Sequence, residues 1–286
     1  MDRREFLATS MTAVVLAKAE SMTSAFPRQD RPKKSIMPGM IKAGTNLEEK
    51  FAIARKAGFD GIEVPPSYDQ VDAFRSASEK AGIPIHSVIF GGWGKPLSHP
   101  DPKIRDEGVE QLKKGLQFAK AVGADNLLLV PAIVDGKTRY VEAYERSQEG
   151  IRKALPTAEE TKVVISVEEV WNNFLLSPIE FNRYIDELQS PFVKAYFDIG
   201  NIVKNGWPED WIRTLGKRIH RVHLKDFSKK KMQFVKLTEG DVNWKEVRKA
   251  FAEIGFTNYM TVEFNGDDYL EPDELVRRID KIFSGE

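Results

Sequence analysis

Four acidic or imidazole side chains in the second half of the chain stand at the ends of successive apolar, β-rich runs. They are separated by about 25 to 40 residues, which is the length of one strand followed by one helix. In a barrel built from such units, the chemistry is carried by residues at the carboxyl ends of the strands and in the loops that follow. The four residues are Glu168, Asp198, His223 and Glu263.

The alternation of side chains along a strand predicts that all four point the same way. Successive residues of a strand face opposite sides of the sheet, so the residue two positions earlier shares the direction of each candidate. Those earlier residues are polar or amphipathic: Ser166, Tyr196, Arg221 and Thr261. The residues of opposite direction are apolar: Val167, Phe197, Val222 and Val262. The four candidates are therefore expected to point into the mouth of a barrel, with the apolar set beneath the outer helices.

Three carboxylates that converge in one place repel one another unless a cation or shared protons intervene. A divalent metal ion bound by three carboxylates and one imidazole resolves this repulsion. Because most of the ligand atoms are oxygen, Mn²⁺ is the first choice, and Mg²⁺, Zn²⁺, Co²⁺ and Fe²⁺ are alternatives. The competing interpretation pairs each acid with a nearby base: Arg221, Lys225 or Lys194. Such pairing explains a single acid better than it explains three acids and one imidazole at equivalent strand ends.

Strand-like and helix-like segments alternate from residue 35 onward, which predicts an α/β fold consisting of a single (β/α)8 TIM barrel. Between the strands, apolar residues recur at three- and four-residue spacing, as on the buried face of a helix. No G-x-G-x-x-G or P-loop motif occurs, which disfavours an open nucleotide-binding sheet. Several helical stretches end in a glycine that suits a C-cap: Gly58, Gly82, Gly123 and Gly255. The candidate strands are residues 35–41, 61–66, 83–90, 126–134, 163–170, 193–200, 219–227 and 259–264.

The composition excludes several classes of protein. The 43 Lys and Arg residues balance the 43 Asp and Glu residues, so the chain has no overall basic field that would attract nucleic acid or a membrane surface. Cysteine is absent, which excludes disulfides, thiolate metal sites and thiol nucleophiles.

The N-terminus is similar to a twin-arginine export signal. Arg3 and Arg4 precede a modest apolar stretch, and Ala17-Lys18-Ala19 resembles a cleavage site. The apolar stretch is shorter than the roughly 20 residues that span a bilayer. We expect a signal peptide at residues 1–19, a linker at 20–34 and the catalytic barrel at 35–286, with the protein periplasmic or exported, or cytoplasmic if the signal does not function. The alternative is an amphipathic N-terminal helix.

At the four candidate ligands, the chain resembles the xylose isomerase-like superfamily of TIM barrels. Within it, the resemblance is to the sugar phosphate isomerase/epimerase group, which includes ketose 3-epimerases and hydroxypyruvate isomerases. It covers about residues 35–280. The segments that carry it are VEEVWNNFLLSP (167–178), FDIGN (197–201), HLKDF (223–227), LTEGDVNW (237–244) and VEF (262–264).

The resemblance implies a metal-dependent sugar isomerase or epimerase. The metal ligands of the family map onto Glu168, Asp198, His223 and Glu263. In the implied mechanism, one glutamate removes the proton next to the carbonyl and the metal stabilises the enediolate. Glu168 and Glu263 are the implied acid–base pair. Return of the proton on the opposite face gives epimerisation, whereas return to the adjacent carbon gives isomerisation.

Three departures from the family pattern leave the substrate open. Glu169 stands where the family usually has asparagine, and Asn201 stands where many 3-epimerases have histidine. An arginine that several relatives carry after the HLKD segment is replaced by Ser228 and the lysines 229–231. Further candidates for substrate binding are Glu63, His86, Trp171, Asn172, Asn201 and Lys225. For Glu63, His86, Trp171 and Lys225, a structural role is the alternative. His220 has the outward direction and is expected to pack or hydrogen-bond near the start of strand seven.

Three other functions use the same features differently. A lyase acting on a keto-sugar or keto-glycoside would begin with the same proton removal, and a sugar-binding protein would keep the fold without catalysis. An endonuclease-IV-like nuclease is disfavoured because it needs several histidines and a basic face, whereas this chain has four histidines and no net charge.

Export conflicts with a phosphorylated substrate and favours a non-phosphorylated sugar. The expected partner is a small sugar or sugar derivative, with no nucleic acid and no membrane after signal cleavage; a homo-oligomer is left open.

Overall fold

The computed structural model describes residues 31–264, 266 and 268–285. The predicted signal peptide and most of the predicted linker lie outside the described residues. Within them, no helix is both long enough and apolar enough to cross a membrane.

Eight parallel strands close into a barrel, as the sequence predicts. Around the barrel they follow the order β1-β10-β7-β6-β5-β4-β3-β2. Successive barrel strands along the chain are therefore paired, and the first strand pairs with the last to close the barrel. An inserted hairpin, β8 with β9, is antiparallel and lies in the loop after β7. The strands are β1 (Lys33–Ile36), β2 (Gly61–Val64), β3 (Ile85–Gly91), β4 (Asn126–Leu129), β5 (Val164–Glu168), β6 (Val193–Asp198), β7 (Ile219–Leu224), β8 (Asp226–Ser228), β9 (Gln233–Val235) and β10 (Tyr259–Val262).

Helices connect the barrel strands and end where local sequence signals stop them. All four predicted C-cap glycines adopt the left-handed conformation that glycine tolerates best. Ser177 caps the fifth helix by accepting a hydrogen bond from the backbone N–H of Glu180. The helices are α1 (Leu47–Ala57), α2 (Val71–Ala81), α3 (Pro102–Val122), α4 (Tyr140–Thr161), α5 (Pro178–Asp186), α6 (Ile199–Val203), α7 (Pro208–Leu215), α8 (Trp244–Ile254) and α9 (Pro272–Ser284).

The first strand lies earlier than the sequence suggests. It begins at Lys33, whose backbone N–H donates to the carbonyl of Asn258, so residues 33 and 34 belong to the barrel rather than to the predicted linker. It ends at Ile36, because Pro38 has no N–H for a sheet and starts a short 3₁₀ helix instead. The predicted seventh strand, 219–227, is divided: β7 stops at Leu224 and the rest enters the hairpin.

The core has the two-sided form that strand alternation predicts. The four apolar neighbours Val167, Phe197, Val222 and Val262 are buried in the main hydrophobic cluster between strands and helices. A separate small cluster of Leu128, Val130 and Tyr196 fills the barrel interior. The interior also holds polar residues, because Asn126 donates to Ser87 and accepts a hydrogen bond from Ser166. The mouth of the barrel therefore rests on a packed interior rather than on a channel.

Candidate metal centre at the carboxyl end of the barrel

The structure brings Glu168, Asp198, His223 and Glu263 together at the mouth. Each offers one ligand atom, and these four atoms all lie within 4.8 Å of one another. Glu168 and Asp198 are the last residues of β5 and β6, and Glu263 follows β10 directly. Three of the four are buried and Glu263 is half-buried. Residues that are far apart in the chain thus converge because neighbouring parallel strands end at the same height.

One ring nitrogen of His223 faces all three carboxyl groups. Its Nδ1 lies 2.8 Å from Oε1 of Glu168, 3.3 Å from Oε2 of Glu263 and 3.9 Å from Oδ2 of Asp198. Asp198 is fixed from the other side, since its Oδ1 caps α6 by accepting from the backbone N–H of Asn201 at 2.9 Å. One imidazole nitrogen and three carboxylates in a buried pocket fit a divalent cation. The ligand assignments themselves stay predictions.

Lys225 already lies among these acids. Its Nζ is 2.8 Å from Oδ2 of Asp198 and 2.5 Å from Oε2 of Glu263, and the side chain is buried. The interpretation that pairs acids with nearby bases therefore applies to Asp198 and Glu263. Glu168 has no such lysine or arginine partner among the described residues. An ammonium group here offsets part of the carboxylate repulsion.

The two glutamates of the proposed acid–base pair have opposite electrostatic environments. Burial raises the pKa of Glu168 to about 7, against the opposing effect of His223. Burial acts in the same direction on Glu263, but His223 and Lys225 outweigh it and lower the pKa of Glu263 to about 2. Two carboxyl groups whose environments separate their pKa values in this way can hold a proton and accept one at the same pH.

Glu169, the residue at the position where the family usually has asparagine, is buried behind Asp198. Its Oε1 accepts from the backbone N–H of Asp198 at 2.8 Å, and its Oε2 has no hydrogen-bond partner within the described part of the chain. Burial, with Asp198 and Glu168 adding to it, raises the pKa of Glu169 well above the ordinary value. A protonated, neutral glutamic acid accepts a hydrogen bond as an asparagine would, so this departure is compatible with an intact centre.

Two of the predicted substrate-binding residues, Asn201 and Trp171, bind each other near the mouth. The indole Nε1 of Trp171 donates to the carbonyl of Asn201 at 2.9 Å. The amide of Asn201 donates in turn to the carbonyl of Glu169 at 3.1 Å. The indole ring stacks on Phe234 of the hairpin at 4.9 Å and lies 4.5 Å from Nζ of Lys204. Trp171 thus joins the loop after β5 to the hairpin, and its 47% exposed side chain forms part of the rim.

Asn172 has a role within the loops. Its Nδ2 donates to the carbonyl of Ala132 at 2.5 Å, and its Oδ1 accepts from the backbone N–H of Phe174 at 3.1 Å. The buried side chain therefore ties the loop after β5 to the loop after β4. Both ends of the amide thus have backbone partners, and the substrate contact of Asn172 stays a prediction.

Glu63 and His86 do not reach the mouth either. Glu63 is fully buried beneath His223 and contacts that imidazole and Tyr196. His86 is the second residue of β3, five residues before the strand ends, and bonds to Ser35 at 2.7 Å and to Arg221 at 3.1 Å. Glu63 is thus next to the end of its strand, as predicted, whereas His86 lies deeper than predicted. Substrate binding by either residue stays a prediction.

His220 lies outside the centre, as strand alternation predicts. Its Nε2 lies 3.0 Å from the guanidinium of Arg221 near the start of β7. Burial, with Arg221 and Lys194 adding to it, lowers the pKa of His220 to about 3. The imidazole is therefore neutral at ordinary pH and serves as a structural hydrogen-bonding group.

Asp226 is a residue of the mouth that the sequence analysis did not single out. Its carboxylate accepts from the backbone N–H groups of residues 227, 238, 240 and 242 and from Nε1 of Trp244, at 2.9 to 3.2 Å. This one side chain holds the loop between the hairpin and α8. A Cβ on Gly240 would collide with the same carboxylate. The segment LTEGDVNW contained the signal, because its glycine and closely spaced polar residues mark a tight loop.

Replacing Lys225 with methionine is expected to separate fold stability from metal binding. In metal-free protein, the variant leaves the buried Asp198 and the half-buried Glu263 without their ammonium partner, a loss of about 3 to 5 kcal/mol of unfolding free energy. Added Mn²⁺ should stabilise the variant more than the parent, because the competing positive charge is gone. Thermal melts with EDTA and with Mn²⁺ measure both effects. Lys230→Met, at an exposed position of the same loop, is the control. Equal melting temperatures of variant and parent in EDTA would contradict the expectation.

The family of the chain follows from comparison with known proteins. A family model described as "Xylose isomerase-like TIM barrel" matches residues 51–281. L-ribulose-5-phosphate 3-epimerase from Escherichia coli (strain K12) is 24% identical over 250 residues, which cover 81% of this chain and 87% of that protein.

Solved structures with a similar fold include two epimerases that are named for different substrates. D-allulose 3-epimerase from Methylomonas sp., solved with D-allulose, has a TM-score of 0.73 at 18% identity and covers 89% of this chain and 96% of that one. 3-Keto-D-glucoside 4-epimerase from E. coli has a TM-score of 0.73 at 15% identity and covers 87% and 97%. At these identities, the likeness establishes the fold alone. Together with the family match, which spans most of the barrel, it confirms the predicted resemblance: the chain belongs to the xylose isomerase-like TIM barrel family.

Proposed function

We propose that the protein is a divalent-metal-dependent sugar epimerase. The observation that carries the proposal is the convergence of two glutamates, Glu168 and Glu263, with Asp198 around one nitrogen of His223. In the barrel, β5 and β10 are separated by β6 and β7, so the two glutamates approach the centre from different sides. Such a pair is suited to removing a proton from one face of a carbon and returning one to the other.

The relatives support epimerisation next to a ketone. One is a ribulose-phosphate 3-epimerase, one an allulose 3-epimerase and one a 3-keto-glucoside 4-epimerase. Each of these enzymes is named for inverting a carbon that is adjacent to a carbonyl group. A proton on such a carbon is acidic enough for a carboxylate base. We therefore infer that the substrate of this chain is a ketose or another keto-sugar.

In the proposed reaction, one glutamate takes the proton α to the carbonyl and the other, protonated, gives one to the opposite face. When bound, the metal supplies the positive charge that stabilises the negative charge developing on the carbonyl oxygen. His223, Asp198 and the two glutamates would hold it, and Mn²⁺ is the proposed ion, with Mg²⁺, Zn²⁺, Co²⁺ and Fe²⁺ as alternatives. Lys225, Trp171 and Asn201 stay the proposed contacts for substrate hydroxyls.

The test follows the α-proton in D₂O with three substrates: a free ketose, a 3-keto-glucoside and a ketose phosphate. An epimerase exchanges the proton and yields both epimers, whereas a lyase exchanges it and releases the group β to the carbonyl. A sugar-binding protein gives no exchange, which would overturn the proposal.

Metal content is measured in parallel for the Ala variants of the four predicted ligands; full occupancy in all four would refute the centre. An endonuclease-IV-like site is disfavoured because the group of potential metal ligands found among the described residues contains a single histidine.

We also propose that the protein is exported and that its substrate is not phosphorylated. The support is the paired Arg3 and Arg4 and the Ala17-Lys18-Ala19 segment. Phosphorylated sugars belong mainly to the cytoplasm, so an exported enzyme needs another substrate. A fusion of residues 1–34 to a reporter should be exported through the twin-arginine route, and replacing both arginines with lysine should retain it in the cytoplasm. Export that is unchanged by this replacement, or no export at all, would contradict the prediction.

A further inference from the structure

We propose that Glu63 is a positioning residue that fixes the orientation and the protonated nitrogen of His223. The inference rests on the metal centre proposed above. It concerns a side chain that touches neither the substrate space nor the three carboxylates, and that acts through the imidazole alone.

Glu63 reaches His223 across the barrel interior. The two residues lie on β2 and β7, which are not adjacent in the barrel. Oε2 of Glu63 lies 3.1 Å from Nε2 of His223, on the opposite edge of the ring from Nδ1. The contact therefore depends on the closed barrel, which brings side chains of two distant strands within reach of each other.

A second partner holds Glu63 in place. The hydroxyl of Tyr196 lies 3.0 Å from Oε1 and 2.9 Å from Oε2 of Glu63. The Tyr196 ring also packs against the His223 ring, with centroids 4.4 Å apart. Glu63 and Tyr196 are both fully buried, so water does not compete for the carboxylate. The hydroxyl and the imidazole N–H are the donors that the surrounding described residues offer to it.

This arrangement determines which nitrogen of His223 faces the centre. A buried carboxylate is costly unless N–H or O–H groups donate to it, and the hydroxyl of Tyr196 has only one proton. Nε2 of His223 must therefore keep its proton to satisfy Glu63. Nδ1 is then free to present its lone pair to a cation among the three carboxylates. Partners of this kind typically change metal affinity by about 10- to 100-fold.

The first test uses unmodified protein loaded with Zn²⁺, which is diamagnetic. Ring ¹H–¹⁵N correlation spectra should show His223 with a proton on Nε2 that exchanges slowly with water, and with Nδ1 bound to the metal. Binding through Nε2, or rapid exchange of that proton, would overturn the inference. This measurement needs no variant, so it stands even where a substitution impairs folding.

The second test compares Glu63→Gln with Ser87→Ala. Glutamine keeps the shape of Glu63 but removes its charge and one acceptor, so Zn²⁺ affinity measured against a competing chelator should fall about 10- to 100-fold. Ser87 is paired in register with Glu63 and bonds to Asn126 rather than to His223, so its variant should bind Zn²⁺ like the parent. Equal affinity of Glu63→Gln and parent would overturn the role of Glu63 but leave the metal centre standing. Failure of the parent to bind Zn²⁺ would instead overturn the centre itself.

Discussion

Glu168→Gln and Glu263→Gln are each expected to reduce epimerisation by about 10²- to 10⁴-fold, the usual contribution of a positioned acid or base. Glutamine keeps the shape of the side chain and one oxygen ligand but cannot carry the proton. Metal content should therefore fall less than activity does. Turnover of both epimers and metal content per chain measure the two effects. Glu160→Gln, on the exposed surface of α4, is the control.

Proton exchange in these variants distinguishes two bases from one. If Glu168 and Glu263 serve opposite faces of the same carbon, each variant keeps one base. Each should then exchange the α-proton of one epimer in D₂O and not that of the other, with the preference reversed between the two variants. Loss of exchange for both epimers in one variant, with normal exchange in the other, would contradict a two-base mechanism.

Asp226→Ala is expected to destabilise the protein by about 3 kcal/mol or more, because hydrogen bonds to a charged group contribute about 1.5 to 3 kcal/mol each. The change leaves four backbone N–H groups and Trp244 Nε1 without their acceptor. Urea denaturation measures the loss, and proteolysis should cut first between residues 228 and 243. The packing in that loop also supports Trp171 through Phe234, so affinity for substrate should fall as well.

Two further variants identify the cause of that loss. Asp226→Asn keeps the volume but turns an NH₂ group toward N–H donors, so it should lose a large part of the same stability. Asp241→Ala removes an exposed aspartate of the same loop that accepts from one N–H, that of Lys229. It should cost less than about 1 kcal/mol. A loss for Asp241→Ala as large as that for Asp226→Ala would show that the loop responds to any change.

Many local features of this barrel could be predicted from the sequence because they depend on neighbouring residues. The glycines that end α1, α2, α3 and α8 and the cap at Ser177 require only the few residues around them. Side chains alternate along a strand with a period of two. This period correctly separated the apolar residues buried beneath the helices from the polar residues that point into the barrel. Four ligand candidates on consecutive strands followed from that period and from the length of the repeating unit.

The depth and partners of interior side chains were decided by the tertiary structure. Glu63 and His86 lie on the predicted strands, yet they contact His223 and Arg221, which are 160 and 135 residues away in the chain. Lys225 lies between two acids, and Asp226, its neighbour, binds a loop that returns from residues 238–244. These contacts depend on strand register, on the closure of the barrel and on how the loop folds back. A linear pattern carries none of this information, because it fixes the direction of a side chain but not the partner that it meets.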